Sequence, residues 1–129
     1  MNTPEATGVP ARLAVLLVDD ELPLLDTFRL GLGNEFDLDC AESAAEAERK
    51  MAARSYDVIV CDHLMPGEEG LHFLIRASAR HPRTQRILIT GFMNPEMLAQ
   101  NIALAGLSAC LLKPVKAAEL AAAIRRVAK

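Results

Sequence analysis

Short apolar runs alternate along the chain with longer segments in which apolar residues recur at helical spacing. Two of these runs, residues 13–18 and 58–61, contain no polar side chain. Short runs of this kind, bounded by turn residues, are typical of strands that are buried on both faces. A third run, 36–40, alternates apolar and acidic residues, which predicts a strand with one wetter face near a sheet edge. The five predicted strands are 13–18, 36–40, 57–61, 86–90 and 109–112.

A helix is predicted after each of these strands. Gly31, Gly33 and Asn34 are predicted to close the first helix with a left-handed cap. Ser43 and Glu46 have the spacing of a capping box, which predicts the start of the second helix. The five predicted helices cover approximately residues 22–32, 43–54, 70–81, 94–104 and 115–127.

This strand–helix alternation predicts the fold class. Five repeats of strand and helix favour an α/β domain with a doubly wound five-stranded parallel sheet and helices on both faces. The expected strand order is the flavodoxin-like 2-1-3-4-5. A chain of 129 residues fits one domain. We therefore predict a flexible leader over residues 1–11 and a single folded domain over 12–129.

Composition excludes some classes of function. The net charge of −3 gives no bulk electrostatic attraction to nucleic acid, so direct nucleic-acid binding is not expected. No apolar run reaches the ~18 residues that a membrane span requires, and the N-terminus lacks a signal-peptide pattern. A cytoplasmic location is therefore expected. The three cysteines form no Cys-x-x-Cys pair and are interpreted as small packing residues.

Polar residues follow four of the predicted strands at the carboxyl end of each. They are Asp19 and Asp20, Asp62, Thr90 and Lys113. Ligands bind parallel α/β sheets outside the carboxyl ends of the strands. If the sheet is parallel, these side chains converge at one edge.

The three carboxylates of this set predict a metal site. Two carboxylates ~4 Å apart repel each other by about 4 kcal/mol at an effective dielectric near 20, so a cation is needed to neutralise them or their pKa values must rise. Hard oxygen ligands suit Mg²⁺ or Mn²⁺. The sequence therefore predicts a divalent cation beside Asp62.

The remaining groups predict phosphoryl chemistry. Lys113 supplies a mobile ammonium that can pair with a phosphoryl oxygen, and the Thr90 hydroxyl can donate a hydrogen bond to another. The backbone at Gly91 has no side chain to obstruct a third contact. An aspartate beside such groups can act as a nucleophile and form an acyl phosphate.

In this order, and each at a strand end, the motifs resemble those of response-regulator receiver domains over residues 13–127. The matching motifs are Val18-Asp19-Asp20-Glu21, Asp62-His63-Leu64-Met65-Pro66-Gly67 with Gly70, Thr90-Gly91 and Lys113-Pro114.

The resemblance implies a set of metal ligands around a phosphoacceptor. Asp62 is implied to accept the phosphoryl group. Asp20 and Asp62 are implied to bind Mg²⁺ directly and Asp19 to bind it through water. The backbone carbonyl of Leu64 is the further implied ligand.

It also implies a set of phosphoryl-binding groups. These are the side chains of Lys113 and Thr90 and the backbone amides of His63 and Gly91. The Lys113–Pro114 bond is implied to be cis. The His63 side chain is interpreted as an exposed loop residue, with a phosphorelay or metal role as the alternative.

Three positions bear on how the domain would switch between conformations and how fast its acyl phosphate would be hydrolysed. Cys110 stands where the family usually has an aromatic switch residue, and a thiol is too small to report the switch in the way that an aromatic ring does. Leu64 and Phe92 are apolar and lie two residues after Asp62 and Thr90. We hypothesise that they exclude or fail to orient hydrolytic water, so that the acyl phosphate is long-lived.

The predicted function is signalling by a phosphoacceptor domain that takes up and loses its phosphoryl group autocatalytically and is not an enzyme. The expected partners are a sensor histidine kinase or phosphotransfer protein, and a downstream protein target or a missing output domain. A homodimer through the fourth helix, fifth strand and fifth helix is possible. The alternative is a phosphorylation-independent interaction module. A hydrolase is disfavoured because Asp19 and Asp20 are adjacent and do not form Asp-x-Asp.

Overall fold

The computed structural model describes residues 12–65, 67–91 and 94–128. The predicted leader lies outside these ranges, so its flexibility stays a prediction. Strands and helices alternate in the order β1 Ala14–Val18, α1 Leu22–Leu32, β2 Asp37–Ala41, α2 Ala44–Ala53, β3 Val58–Asp62, α3 Gly70–Arg80, β4 Gln85–Thr90, α4 Pro95–Ala105, β5 Ala109–Leu112 and α5 Ala117–Val127.

The five strands form one parallel sheet in the order β2-β1-β3-β4-β5. This arrangement confirms the predicted fold class and strand order. Strand β2, in which apolar and acidic residues alternate, lies at an edge of the sheet, and its first residues are more exposed than its last. β1 and β3 lie inside the sheet and are buried along their whole lengths, as their unbroken apolar runs predict.

Each face of the sheet packs against its own set of helices. On one face, Leu25 and Phe28 of α1 join Leu120 and Ile124 of α5 in a buried cluster. On the other face, the buried cluster contains residues of α2, α3 and the end of α4. Alternate residues of β1 belong to the two clusters, because successive side chains of a strand point to opposite faces.

The predictions for the end of α1 and for the start of α2 have different outcomes. The predicted left-handed cap is wrong at Gly33, the residue that ends α1, since it has φ −65° and ψ −18°. A side chain at Gly33 would instead meet the Arg29 carbonyl oxygen, 2.7 Å from an added Cβ, which accounts for the glycine. Ser43 does cap α2 by accepting a hydrogen bond from the Glu46 amide. The Glu46 carboxylate reaches one residue further and accepts from the Glu42 amide.

All three cysteines are free, and Cys40 and Cys61 are buried in the core. Within the described ranges, no helix combines the length and the apolar character needed to cross a membrane.

Candidate functional site

The strand register brings three carboxylates together at the carboxyl edge of the sheet. Val18 pairs with Cys61 in the β1–β3 ladder, so Asp19 leaves β1 beside Asp62 at the end of β3. One carboxylate oxygen from each of Asp19, Asp20 and Asp62 lies within 4.8 Å of the other two. Among the described residues, this is the one cluster of three potential ligand side chains that is so compact.

Two of these carboxylates are buried. Asp62 is 3% exposed and Asp19 is 6% exposed, whereas Asp20 faces solvent. Burial raises the pKa of Asp19 to about 6; the Glu21 amide, which donates to Asp19 Oδ1 at 2.9 Å, partly opposes this rise, and the charge of Asp62 adds to it. The donor set consists of oxygen atoms only and carries excess negative charge, so it fits a hard divalent cation such as Mg²⁺.

Lys113 adds a cation to the acidic cluster. Its Nζ atom lies 2.6 Å from Asp62 Oδ1 and 4.0 Å from Glu21 Oε1. Burial lowers the pKa of Lys113, but Asp62, Asp19 and Glu21 outweigh it, so the net shift is upward. The ammonium therefore stays charged beside the Asp62 carboxylate.

Backbone structure holds Lys113 next to Thr90. The Lys113 amide donates to the Thr90 carbonyl at 2.9 Å, and the Lys113–Pro114 peptide bond is cis. Thr90 is 2% exposed at the end of β4. A Cβ atom added at Gly91 would come no closer than 3.8 Å to Lys113 Cδ, which is an ordinary van der Waals contact and no clash.

A comparison with known protein families identifies the family of the chain. Residues 15–125 match the family model described as "Response regulator receiver domain". The chain belongs to this family.

The receiver domain is similar to several curated transcriptional regulators. It is 37% identical over 100 residues to the hydrogenase transcriptional regulatory protein HoxA of Cupriavidus necator, covering 78% of this chain and 21% of that protein. It is 32% identical over 120 residues to the DNA-binding transcriptional activator DevR/DosR of Mycobacterium tuberculosis, covering 88% of this chain and 53% of that protein. The chain thus spans a fifth to a half of the length of these relatives.

Solved structures of receiver domains superpose on this one. The signal receiver domain of an HD domain-containing protein from Pseudomonas fluorescens Pf-5 has a TM-score of 0.84 and 29% identity, covering 93% of this chain and 89% of its own. A CheY-like receiver domain protein from Methanospirillum hungatei JF-1 also has a TM-score of 0.84, with 26% identity and coverage of 92% and 94%.

His63 differs from its predicted environment. Its side chain is only 16% exposed, so its interpretation as an exposed loop residue is wrong. The reason is that its amide donates to the Ile89 carbonyl at 2.9 Å and its carbonyl accepts from the Gly70 amide at 2.8 Å, which holds the residue between β4 and α3. The phosphoryl contact predicted for the His63 amide stays a prediction, and it requires the bond to Ile89 to open.

The positions predicted for water access and switching are only partly described. The Leu64 side chain is 68% exposed beside the site, and Phe92 lies outside the described residues. Cys110 is half-buried opposite Leu88 and packs against the cluster on the α2–α3 face. Burial raises the pKa of its thiol, so the switch position holds a small neutral side chain.

The raised pKa of Asp19 leads to a stability prediction. Because the pKa of Asp19 is about 6 in the folded state and near 3.8 in the unfolded state, the folded state binds the proton more tightly. The free energy of unfolding therefore rises as the pH falls from about 6 to about 4, and it is lowered by the Asp19 charge above pH 6. We therefore expect Asp19→Asn, which removes the charge but keeps an oxygen acceptor, to raise the free energy of unfolding at pH 7 by roughly 1–3 kcal/mol without metal. Urea unfolding in EDTA measures this change.

The matched control for this variant is Asp20→Asn, at the exposed carboxylate of the pair. Its effect should be smaller than that of Asp19→Asn, because solvent already stabilises the Asp20 charge. An Asp19→Asn protein that is no more stable than the unmodified chain would contradict the assignment.

Proposed function

We propose that this receiver domain accepts a phosphoryl group on Asp62 with the help of Mg²⁺ or Mn²⁺, and signals by protein–protein contact. The observation that carries the proposal is the contact between Lys113 and Asp62 inside a cluster of three carboxylates. A buried carboxylate that is paired with an ammonium and surrounded by further acids suits a site where a charged phosphoryl group is added to the carboxylate and later removed.

The proposed reaction uses few protein groups. An Asp62 oxygen forms a bond to phosphorus while the donor's N–P or O–P bond breaks, and the donor atom keeps the electron pair. Lys113 and Thr90 hold oxygens of the transferred group. Asp20, Asp62 and the Leu64 carbonyl would hold the divalent cation directly, and Asp19 would hold it through water. When bound, the cation would supply positive charge that offsets the carboxylates and the phosphoryl group.

The phosphorylated and free forms would differ in local charge. The acyl phosphate adds negative charge and acceptor oxygens that Lys113 can pair with, which shifts a population between two conformations. Uptake and loss of the group are both autocatalytic in this proposal. The domain modifies its own side chain and turns over no separate substrate, so it is not classed as an enzyme.

A groove beside the site supports the proposed kinase partner. Its cavity is about 450 Å³ and opens next to Lys113. The residues that line it are mostly apolar: Glu21, Leu24, Phe28, Ile89, Lys113, Pro114 and Val115. A histidine kinase or phosphotransfer protein could place an apolar side chain here while its phosphohistidine faces Asp62. The amphipathic pattern of α1 does not reveal this groove. The groove depends on how α1 packs beside the loop that follows β5.

Exposed apolar side chains support a second contact surface. Ile102 and Leu104 of α4 and Leu112 of β5 are 39%, 67% and 56% exposed. They lie on the elements through which we propose that the domain contacts a downstream protein, an output domain or a second copy of itself. The absence of direct nucleic-acid binding and the cytoplasmic location stay predictions.

The second candidate function is a phosphorylation-independent interaction module. Cys110 favours it, because a half-buried thiol cannot make the large movement of an aromatic switch residue. Under this function the fold and contact surfaces would be retained while phosphorylation had no consequence for binding.

Treatment with acetyl phosphate and Mg²⁺ tests the proposed function. We expect the intact mass to rise by one phosphoryl group, and we expect EDTA to prevent this rise. Sizing chromatography before and after treatment reports whether assembly changes. If no phosphoryl group is added with Mg²⁺ present, the interaction module is the better account.

Leu64 leads to a prediction about the lifetime of the phosphorylated form. A polar side chain at this exposed position can orient an attacking water where leucine cannot. We expect Leu64→Asn to shorten the lifetime of the acyl phosphate severalfold, and Leu64→Asn with Phe92→Glu to shorten it further. The decay of the phosphorylated mass after donor removal measures both. The control is Leu104→Asn, which should leave the decay unchanged, because Leu104 is equally exposed but lies near the end of α4. An unchanged decay in the Leu64 variants would contradict the hypothesis.

A further inference from the structure

We propose that Glu21 is a specificity-determining residue for the phosphoryl donor, and that it favours donors whose leaving group is a protonated nitrogen over acyl phosphates. This inference rests on the proposed function and adds to it the class of donor that the site accepts best. A phosphohistidine on a partner protein belongs to the favoured class, and so do small phosphoramidates. Acetyl phosphate belongs to the disfavoured class, because its leaving group is a carboxylate.

Glu21 lies on the outer side of the site, next to Lys113. Glu21 Oε1 lies 4.0 Å from Lys113 Nζ, and the same nitrogen lies 2.6 Å from Asp62 Oδ1. Glu21 Oε1 can therefore be no further from Asp62 Oδ1 than these two separations combined. The side chain of Glu21 is 62% exposed whereas Asp62 is buried, so Glu21 is the acid that an approaching donor meets first.

Backbone hydrogen bonds fix Glu21 and leave its carboxylate available. The Glu21 amide donates to Asp19 Oδ1 at 2.9 Å, and the Glu21 carbonyl accepts from the Leu24 and Leu25 amides at 3.1 Å each. Glu21 is the N-cap residue of α1, but its side chain makes no capping hydrogen bond. The carboxylate is therefore not committed to the helix, and it extends from a fixed backbone beside Lys113.

The groove proposed for the kinase contact brings a donor past this carboxylate. Among the described residues that line the groove, Glu21 and Lys113 are charged and the others are apolar. Lys113 is paired with Asp62, so Glu21 supplies the negative charge at the wall of the groove. On the groove side, apolar side chains replace part of the water that would otherwise screen this charge.

The two classes of donor differ in the charge of the leaving group. In both reactions an Asp62 oxygen forms the new bond to phosphorus, and the leaving atom keeps the electron pair of the broken bond. Phosphoramidate loses its N–P bond with the proton already on nitrogen, so neutral ammonia leaves and the nitrogen keeps part of its positive charge in the transition state. Acetyl phosphate loses its O–P bond and releases acetate, so negative charge develops on oxygen. A nearby carboxylate therefore stabilises the first transition state and destabilises the second.

Rates of phosphoryl uptake from phosphoramidate and from acetyl phosphate test this proposal. Intact mass gives the second-order rate constant for each donor at pH 7, with saturating Mg²⁺ and fixed ionic strength. The ratio of the two constants cancels any common effect of a substitution on folding, on metal binding or on Asp62. We expect Glu21→Gln to lower the ratio of the phosphoramidate constant to the acetyl phosphate constant about threefold, which is the effect of one unit charge at ~7 Å in a water-like dielectric.

Two further variants separate the charge of Glu21 from its structural role. Glu21→Asp keeps the charge and should keep most of the ratio. Asp26→Asn removes an equal charge from an exposed position further along α1 and should leave the ratio unchanged. Raising the salt concentration to about 0.5 M should bring the ratios of the unmodified chain and of Glu21→Gln together, because salt screens exposed charges.

An unchanged ratio in Glu21→Gln would overturn the proposal, as would an equal fall in Asp26→Asn. Both outcomes leave the proposed function intact, because each of them requires phosphoryl uptake to occur. If the unmodified chain takes up a phosphoryl group from neither donor, the proposed function fails and this inference fails with it.

Discussion

Asp62→Asn is expected to abolish phosphoryl uptake from acetyl phosphate. The amide nitrogen and oxygen of asparagine are poor nucleophiles, so the acyl phosphate cannot form. The substitution is nearly isosteric, and its side-chain oxygen can still lie beside the Lys113 ammonium, which is 2.6 Å from Asp62 Oδ1. The fold should therefore persist, and intact-mass measurement with Mg²⁺ present should show no added phosphoryl group.

A surface aspartate supplies the control for this experiment. Asp26 lies on α1 with a side chain that is 68% exposed, so Asp26→Asn should take up one phosphoryl group as the unmodified chain does. Circular dichroism of both variants checks folding. Equal uptake by folded Asp62→Asn and Asp26→Asn would show that the modified residue lies elsewhere.

Gly70→Ala is expected to cost roughly 2–3 kcal/mol of unfolding free energy, in the range typical of overpacked interiors. A Cβ atom at Gly70 would lie 2.1 Å from the Asp62 carbonyl oxygen and 3.0 Å from Cys61 Sγ. The carbonyl is backbone and cannot rotate away, so α3 or the end of β3 must shift. We also expect slower phosphorylation, because the strained segment carries Asp62.

Gly91→Ala is the matched control for Gly70→Ala. It makes the same chemical change at the same edge of the sheet, but its added Cβ comes only to 3.8 Å from the Lys113 side chain. Urea unfolding should therefore give a free energy within about 0.5 kcal/mol of the unmodified chain, as for substitutions without a clash. Equal stabilities of the two alanine variants would contradict the close packing of Gly70.

Much of the fold could be predicted because hydrophobic pattern and topology agree. The unbroken apolar runs of β1 and β3 require cover on both faces, and the helix between each two consecutive strands makes a parallel sheet the simplest solution. The parallel direction then brings Asp19, Asp62 and Lys113 to one edge. The sequence could not give the distance between Lys113 and Asp62, which depends on side-chain conformation.

The wrong predictions concern single residues whose environment depends on tertiary contacts. Gly33 matches a left-handed cap in sequence, but its backbone stays helical and its lack of a side chain makes room for the Arg29 carbonyl. His63 belongs to a loop in sequence, but hydrogen bonds to Ile89 and Gly70 draw it inward. Neither effect leaves a periodic signal along the chain.

Borohydride trapping of the phosphorylated protein tests the central claim most directly. Hydride reduces an aspartyl phosphate to homoserine and releases phosphate, so the modified position can be read by peptide sequencing in a mass spectrometer. After treatment with acetyl phosphate and Mg²⁺, we predict homoserine at position 62 and at no other aspartate. Homoserine at position 19 or 20, or a phosphorylated chain in which residue 62 remains aspartate, would contradict the account.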